Sequence, residues 1–121
     1  MNRWETGRRA EQLAAGYLRA RGYHIWKMNW RWGKKELDLV ATYGDLLIIV
    51  EVKAMVGNCV NHPAEVVDKS KQRNMIRAAE GFIRIYKSRR PTRFDVIAVI
   101  YQGAEVKIEH MENAFSPGIA N

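Results

Sequence analysis

Apolar and polar positions alternate along this chain in a way that separates helices from strands. From about Gly7 to Arg21, Ala10, Leu13, Ala14, Tyr17 and Leu18 fall on one face at helical spacing, and Gly22 follows as a C-terminal stop. Glu11 lies one residue round from Ala10, at the margin of that stripe. A solvated helix carboxylate is the ordinary reading of such a residue, and a place in a site is the other. Tyr23 to Trp32 changes to a period of two, with Trp26, Met28, Trp30 and Trp32 on one side and Lys27, Asn29 and Arg31 on the other. Trp and Arg interleaved in this way occur where bases stack on rings. A core strand with a charged outer face explains the pattern more simply. Leu37, Leu39 and Ala41 alternate with Glu36, Asp38 and Val40 in a second strand. Leu46 to Val52 is nearly continuous in apolar residues, as a central strand covered on both faces requires. Tyr43, Gly44 and Asp45 supply a tight turn between these two strands.

Residues 54 to 67 read as a loop, punctuated by Gly57, Asn58, Asn61 and Pro63. Met75, Ile76, Ala79, Phe82, Ile83 and Tyr86 then repeat at helical spacing, with Asp68 as N-cap or an earlier start at Pro63. Pro91, within Ser88 to Thr92, ends this helix. Phe94 to Tyr101 reads as a buried strand, and Val106 to His110 as an edge strand after the Gln102-Gly103 turn. The predicted order is αβββαββ. No repeat, low-complexity tract or linker interrupts it, so residues 1–121 are expected to form one α/β domain.

Composition narrows the class. Hydrophobic residues make up 47% and charged residues 27%, which excludes a disordered chain. Lys and Arg number 20 against 13 Asp and Glu, a formal charge of +7. That excess favours a polyanionic partner, because phosphate contacts release counterions. On the second helix Lys69, Lys71, Arg73 and Arg77 are all basic and are the candidates for nucleic-acid contact, a solvated face being the alternative. Cys59 is the single cysteine, which excludes an internal disulfide and points to a reducing, cytoplasmic setting. It has no Cys or His partner at zinc-ligand spacing. Leu46 to Val50, the longest apolar run, is far short of a membrane span, and no signal peptide is expected.

The second and third strands carry the chemistry. If their loop is Gly44-Asp45, Tyr43 pairs with Leu46, Asp38 lies opposite Glu51, and Glu36 lies opposite Lys53. If the loop is Tyr43-Gly44, Asp38 is diagonal to Glu51 on the same face, whereas an odd loop length separates their faces. Glu51 closes an apolar run and is expected to be partly buried beside a second acid, so it needs a partner. Mg²⁺ (or Mn²⁺) would resolve the repulsion, since it takes a few carboxylate oxygens and keeps waters. Bound there it would polarise a phosphate and activate a water. Lys53 would steer or deprotonate that water, or offset charge on the phosphorus. A plain ion pair of Glu51 or Asp38 with Lys53 is the alternative.

Asp38 followed by Glu51-Val52-Lys53 resembles the PD-(D/E)xK signature of restriction endonuclease-like nucleases, with Leu37 where that signature has proline. Arg8-Arg9-Ala10-Glu11-x-x-Ala14, Gly22-Tyr23, Asn29-Trp30-Arg31, Glu36-Leu37-Asp38-Leu39-Val40 and Val50-Glu51-Val52-Lys53 resemble the YraN family of small bacterial proteins. So do Lys71, Arg77-Ala78-Ala79-Glu80, Arg93-Phe94-Asp95-Val96 and Asn113-Ala114-Phe115, so the resemblance spans nearly the whole chain. It implies a restriction endonuclease-like core, a mixed β-sheet flanked by helices. It also implies kinship with archaeal Holliday-junction resolvases, whose first-helix glutamate would correspond to Glu11. The expectation is a metal-dependent nuclease acting on DNA, with branched or structured DNA as a candidate substrate. Asp38 and Glu51 would hold Mg²⁺ or Mn²⁺, Lys53 would serve the water, and Glu11 would be an outer ligand. A non-catalytic nucleic-acid-binding module and an RNA-processing factor stand as alternatives. The expected partners are nucleic acid and, as an option, a second copy of the chain; no membrane is involved.

Overall fold

The computed structural model describes residues 2–57 and 67–117. The elements are α1 (Arg3–Ala20), β1 (His24–Trp32), β2 (Lys35–Tyr43), β3 (Leu46–Val56), α2 (Lys69–Tyr86), β4 (Thr92–Gln102) and β5 (Glu105–Phe115), in the expected order. β3 extends to Val56, so residues 54 to 56 belong to a strand where a loop was expected. There β3 is held by its pairing with β4, as in Ala54↔Val99 and Val56↔Tyr101. The predicted loop positions Asn58, Asn61 and Pro63, and Cys59, lie outside the described residues. Asp68 caps α2, its side chain accepting from the Lys71 N–H at 2.8 Å.

The strands form one sheet in the order β1-β2-β3-β4-β5. All neighbours are antiparallel except β3 and β4, which run parallel and are joined through α2. This is the mixed sheet with helices on its faces that a restriction endonuclease-like core requires. β3 sits at its centre. Ile48 and Val50 pack with Ala10, Ala14 and Leu18 of α1, while Leu47 and Ile49 pack with Met75, Ala78 and Phe82 of α2. Two covered faces explain the uninterrupted apolar run of this strand. Phe82 is fully buried, with Trp26 and Trp30 edge-on at 5.0 and 5.1 Å between ring centroids. Truncating such a residue to alanine costs roughly 3–5 kcal/mol. Gly81 lets Trp32 lie against α2, since a Cβ there would come within 2.6 Å of the indole. No helix among the described residues is long and apolar enough to cross a membrane.

The simple alternation expected for β1 does not hold. Trp26, Trp30 and Trp32 do pack toward α2, but Met28 packs toward α1. Lys27, expected opposite the tryptophans, sets its ammonium over Tyr86 of α2 at 5.6 Å. Two irregularities cause this: a register shift between Ile25 and Lys27, and a left-handed backbone at Asn29 (φ 52°). Each breaks the period-two count of the strand. β2 departs from alternation as well: Leu37 joins the α2 side while Leu39 and Ala41 join the α1 side. The break falls at Asp38.

Candidate active site

The hairpin that positions Asp38 begins as the Gly44-Asp45 turn requires. Gly44 has φ 58°, and Tyr43 pairs with Leu46. The ladder continues to Leu39↔Val50 and stops. One residue further on, β2 parts from β3. Asp38 is therefore not the ladder partner of Glu51, and Glu36 does not face Lys53. Strand irregularity overrides the register count, and the Asp38 side chain enters the fork. Its Oδ2 accepts the Val52 N–H at 2.9 Å, replacing the carbonyl a continuing strand would have supplied.

The two acids nevertheless converge. The Glu51 charge raises Asp38, so the two carboxyl groups stand close enough to act on each other. Glu51 is 4% exposed and follows Leu47 and Ile49 on the α2 side of β3. Its Oε1 is buried and has no hydrogen-bond partner among the described residues. The nearest cation is Lys71, whose Nζ stands 3.7 Å from that oxygen. Lys53, two residues along the strand, is half-buried, and its charge also acts on Glu51.

Burial raises the Asp38 carboxyl first and the Glu51 charge raises it second, to about 7, against the opposing Val52 N–H and Lys71 charge. Burial raises Glu51 too, opposed by Lys71, Asp38 and Lys53. Glu11 belongs to the same field. Burial lifts its carboxyl, a hydrogen bond from Asn29 opposes that, and the charges of Asp38 and Glu36 add to the rise. The Asn29 amide ties two of these acids together, donating to Glu11 Oε1 at 3.0 Å and to Glu36 Oε1 at 3.4 Å. Glu11 is thus joined to the site through Asn29 and through the charge of Asp38, not by direct contact with Glu51.

Among the described residues no three His, Cys, Asp or Glu side chains converge as a metal-binding group. A magnesium site does not need three. Mg²⁺ is commonly held by one or two carboxylates, with waters and substrate phosphates completing its shell. Asp38 and Glu51, with a buried Glu51 oxygen left unpartnered, fit that donor set.

The four candidate contact residues of α2 divide. Lys69, Arg73 and Arg77 are exposed, spaced four apart on the outer face. Lys71 lies four residues before buried Met75 and so continues the apolar stripe toward the sheet. That spacing is legible in the sequence and marks Lys71 as inward-facing. Asn29 and Glu36 also join the site beyond the residues singled out for chemistry. The only sequence sign of either is that both fall in the segments resembling the YraN family.

The family profile described as "Uncharacterised protein family UPF0102" matches residues 10–99. The chain is similar to the UPF0102 protein of Phocaeicola vulgatus, 39% identical over 115 residues and covering 95% of each chain. It is similar to that of Syntrophotalea carbinolica, 43% identical over 114 residues and 93% of each chain. A relative from an Arthrobacter species is 42% identical over 107 residues, covering 87% of this chain and 91% of its own.

Proposed function

We propose that this chain, which belongs to the UPF0102 (YraN) family, is a metal-dependent phosphodiesterase acting on DNA. One observation carries the reading: the buried Glu51 and half-buried Asp38 carboxyl groups come together where β2 and β3 part, and a Glu51 oxygen with no hydrogen-bond partner among the described residues stands 3.7 Å from the Lys71 ammonium. An arrangement kept only for stability would leave neither the repulsion nor the orphaned oxygen.

Asp38 and Glu51 would hold Mg²⁺ or Mn²⁺, which supplies polarisation of the phosphate and activation of a water when bound. Val52 fixes Asp38 through its N–H, so the carboxylate is oriented before any ligand arrives. Lys53 orients the attacking water or neutralises charge that develops on the phosphate oxygens. Lys71, close to Glu51, holds charge balance on the α2 side and reaches toward the same phosphate. Glu11, fixed by Asn29, positions an outer water. The basic outer face of α2 attracts the backbone without reading sequence. A cytoplasmic setting, where divalent cations and nucleic acid meet, suits this chemistry.

The test is a titration of the pure protein with Mg²⁺ and Mn²⁺, followed by cleavage assays on linear, single-stranded and four-way-junction DNA. A metal that binds the folded form must raise the melting temperature by mass action. The expected result is a rise in wild type, little change in Asp38→Ala, and cleavage only with metal. Absence of cleavage with either metal on every substrate, beside tight binding of junctions, would replace the enzyme by a binding module. Cleavage confined to RNA would move the substrate class.

A further inference from the structure

We infer that a cleft between the first turns of α1 and the β1–β2 strands is a binding site for an unpaired nucleotide next to the scissile phosphate. This rests on the nucleic-acid reading above and adds the part of the substrate that the site selects. The cleft is about 450 Å³, within the range of small-ligand sites. Trp4 forms part of its wall and is 68% exposed. The Arg8 guanidinium sits 5.2 Å from the centre of that ring. Arg3 and Arg31 line the same cleft. Glu11, Asn29 and Glu36 also line it, and Asn29 donates to Glu11 at 3.0 Å. The cleft is linked to the candidate active site through Glu11, which feels the charge of Asp38.

Each chemical feature corresponds to one part of a nucleotide. The Trp4 face offers a stacking surface, and stacking on an aromatic ring is tolerant of base identity. The arginine rim supplies planar donors that match phosphate oxygens. Glu11 and Glu36 are acceptors, suited to the amino edge of a base and not to a phosphate. A duplex cannot use this cleft, because its bases are stacked on each other and their faces are covered. The outer face of α2, with Lys69, Arg73 and Arg77, lies on the opposite side of the sheet from α1 and serves the backbone generally.

Gly7 provides a variant that blocks the cleft without disturbing the fold. It lines the cleft within α1, and a Cβ at this position meets nothing within 4 Å. Leucine is also a better helix former than glycine. The experiment measures binding of a short fluorescein-labelled single strand and of the blunt duplex of the same length, in EDTA at fixed salt. Trp4→Ala is expected to weaken single-strand binding about tenfold by loss of stacking. Gly7→Leu should do the same by filling the cleft, Trp4→Phe should retain most of the affinity, and all three should bind duplex as wild type does. Unchanged single-strand affinity in Trp4→Ala overturns the inference, and so does an equal loss on strand and duplex. If wild type cleaves DNA with Mg²⁺ while either of those results holds, the proposed function stands without the cleft. A wild type that binds neither strand nor duplex overturns both.

Discussion

The sheet carries two acid clusters, each with one buried carboxylate, and they are built on opposite terms. Asp95 is fully buried on β4, yet every oxygen has a partner. Arg93 Nε and Nη2 donate to it at 2.9 and 2.8 Å, the Asn113 N–H donates at 3.0 Å, and His110 Nε2 lies 2.7 Å away. Burial alone would raise the Asp95 carboxyl, but the hydrogen bonds from His110, Arg93 and Asn113 outweigh it and hold it below the usual value. Tyr23 extends the network, accepting from Arg93 Nη2 at 2.7 Å. Glu51 is buried beside the half-buried Asp38, a like charge, with one oxygen that has no hydrogen-bond partner among the described residues and only the Lys71 ammonium at 3.7 Å, and both carboxyls are pushed up. The contrast separates structure from chemistry. A cluster that satisfies itself stabilises the fold, whereas one that sets two like charges together is costly to keep.

The largest effect that would break this contrast is on stability. Asp95→Ala should cost roughly 3–5 kcal/mol in urea unfolding, because it strands the Arg93 guanidinium among the remaining partners. Asp38→Asn should cost little or stabilise the metal-free protein, since the amide oxygen can still accept from Val52 and the repulsion is gone. Equal losses in both would mean that the acid pair is structural after all.

Next in size is the effect on rate. Lys53→Ala should lower cleavage by ~10²–10³ while leaving affinity for DNA nearly intact, since it removes charge where charge develops. Asp38→Asn should abolish cleavage by loss of the metal. Parallel losses of binding and cleavage in Lys53→Ala would assign that lysine to general attraction instead.

The pH dependence of unfolding should then run in opposite directions for the two clusters. Asp95 has a folded value below its ordinary 3.8, so its contribution is present above 3.8 and is lost as pH falls through the folded value. Asp38 rises from 3.8 to about 7, so its contribution is complete below 3.8 and is lost as pH rises through about 7. Metal-free protein should weaken across that upper interval, and Asp38→Asn should remove most of the change. A flat profile in metal-free wild type would show that the pair is better solvated than its geometry implies.

The smallest effect sharpens the division within α2. Single alanine replacements of Lys69, Arg73 and Arg77 should each reduce the slope of log affinity against log salt by about one unit and leave cleavage of bound DNA unchanged. Lys71→Ala should lower cleavage of bound DNA as well, because its ammonium is set against Glu51. If all four behave alike, Lys71 belongs to the outer surface.

Local chemistry was enough to determine the elements and their order. A cap at Asp68, a tight turn at Tyr43-Gly44-Asp45 and the apolar run of β3 act over a few residues, through capping, positive φ and burial, so each is legible as a candidate from neighbours in the chain, while the choice between Asp68 and Pro63 and between the two turn registers was left to the structure. The same locality reached Asp38, Glu51 and Lys53 as a group on one hairpin. It could not reach the parting of β2 from β3, because Asn29 and Asp38 break alternation together on paired strands, and period-two counting assumes neither does. The parallel pairing of β3 with β4, the approach of Lys71 to Glu51 and the closure of Asp95 with His110 and Asn113 lay further off still. These join residues from distant parts of the chain, and the energy that sets them is packing of whole elements. Sequence determined which groups could do chemistry; only the tertiary structure decided which acids were fully satisfied by hydrogen bonds and which were set beside a like charge.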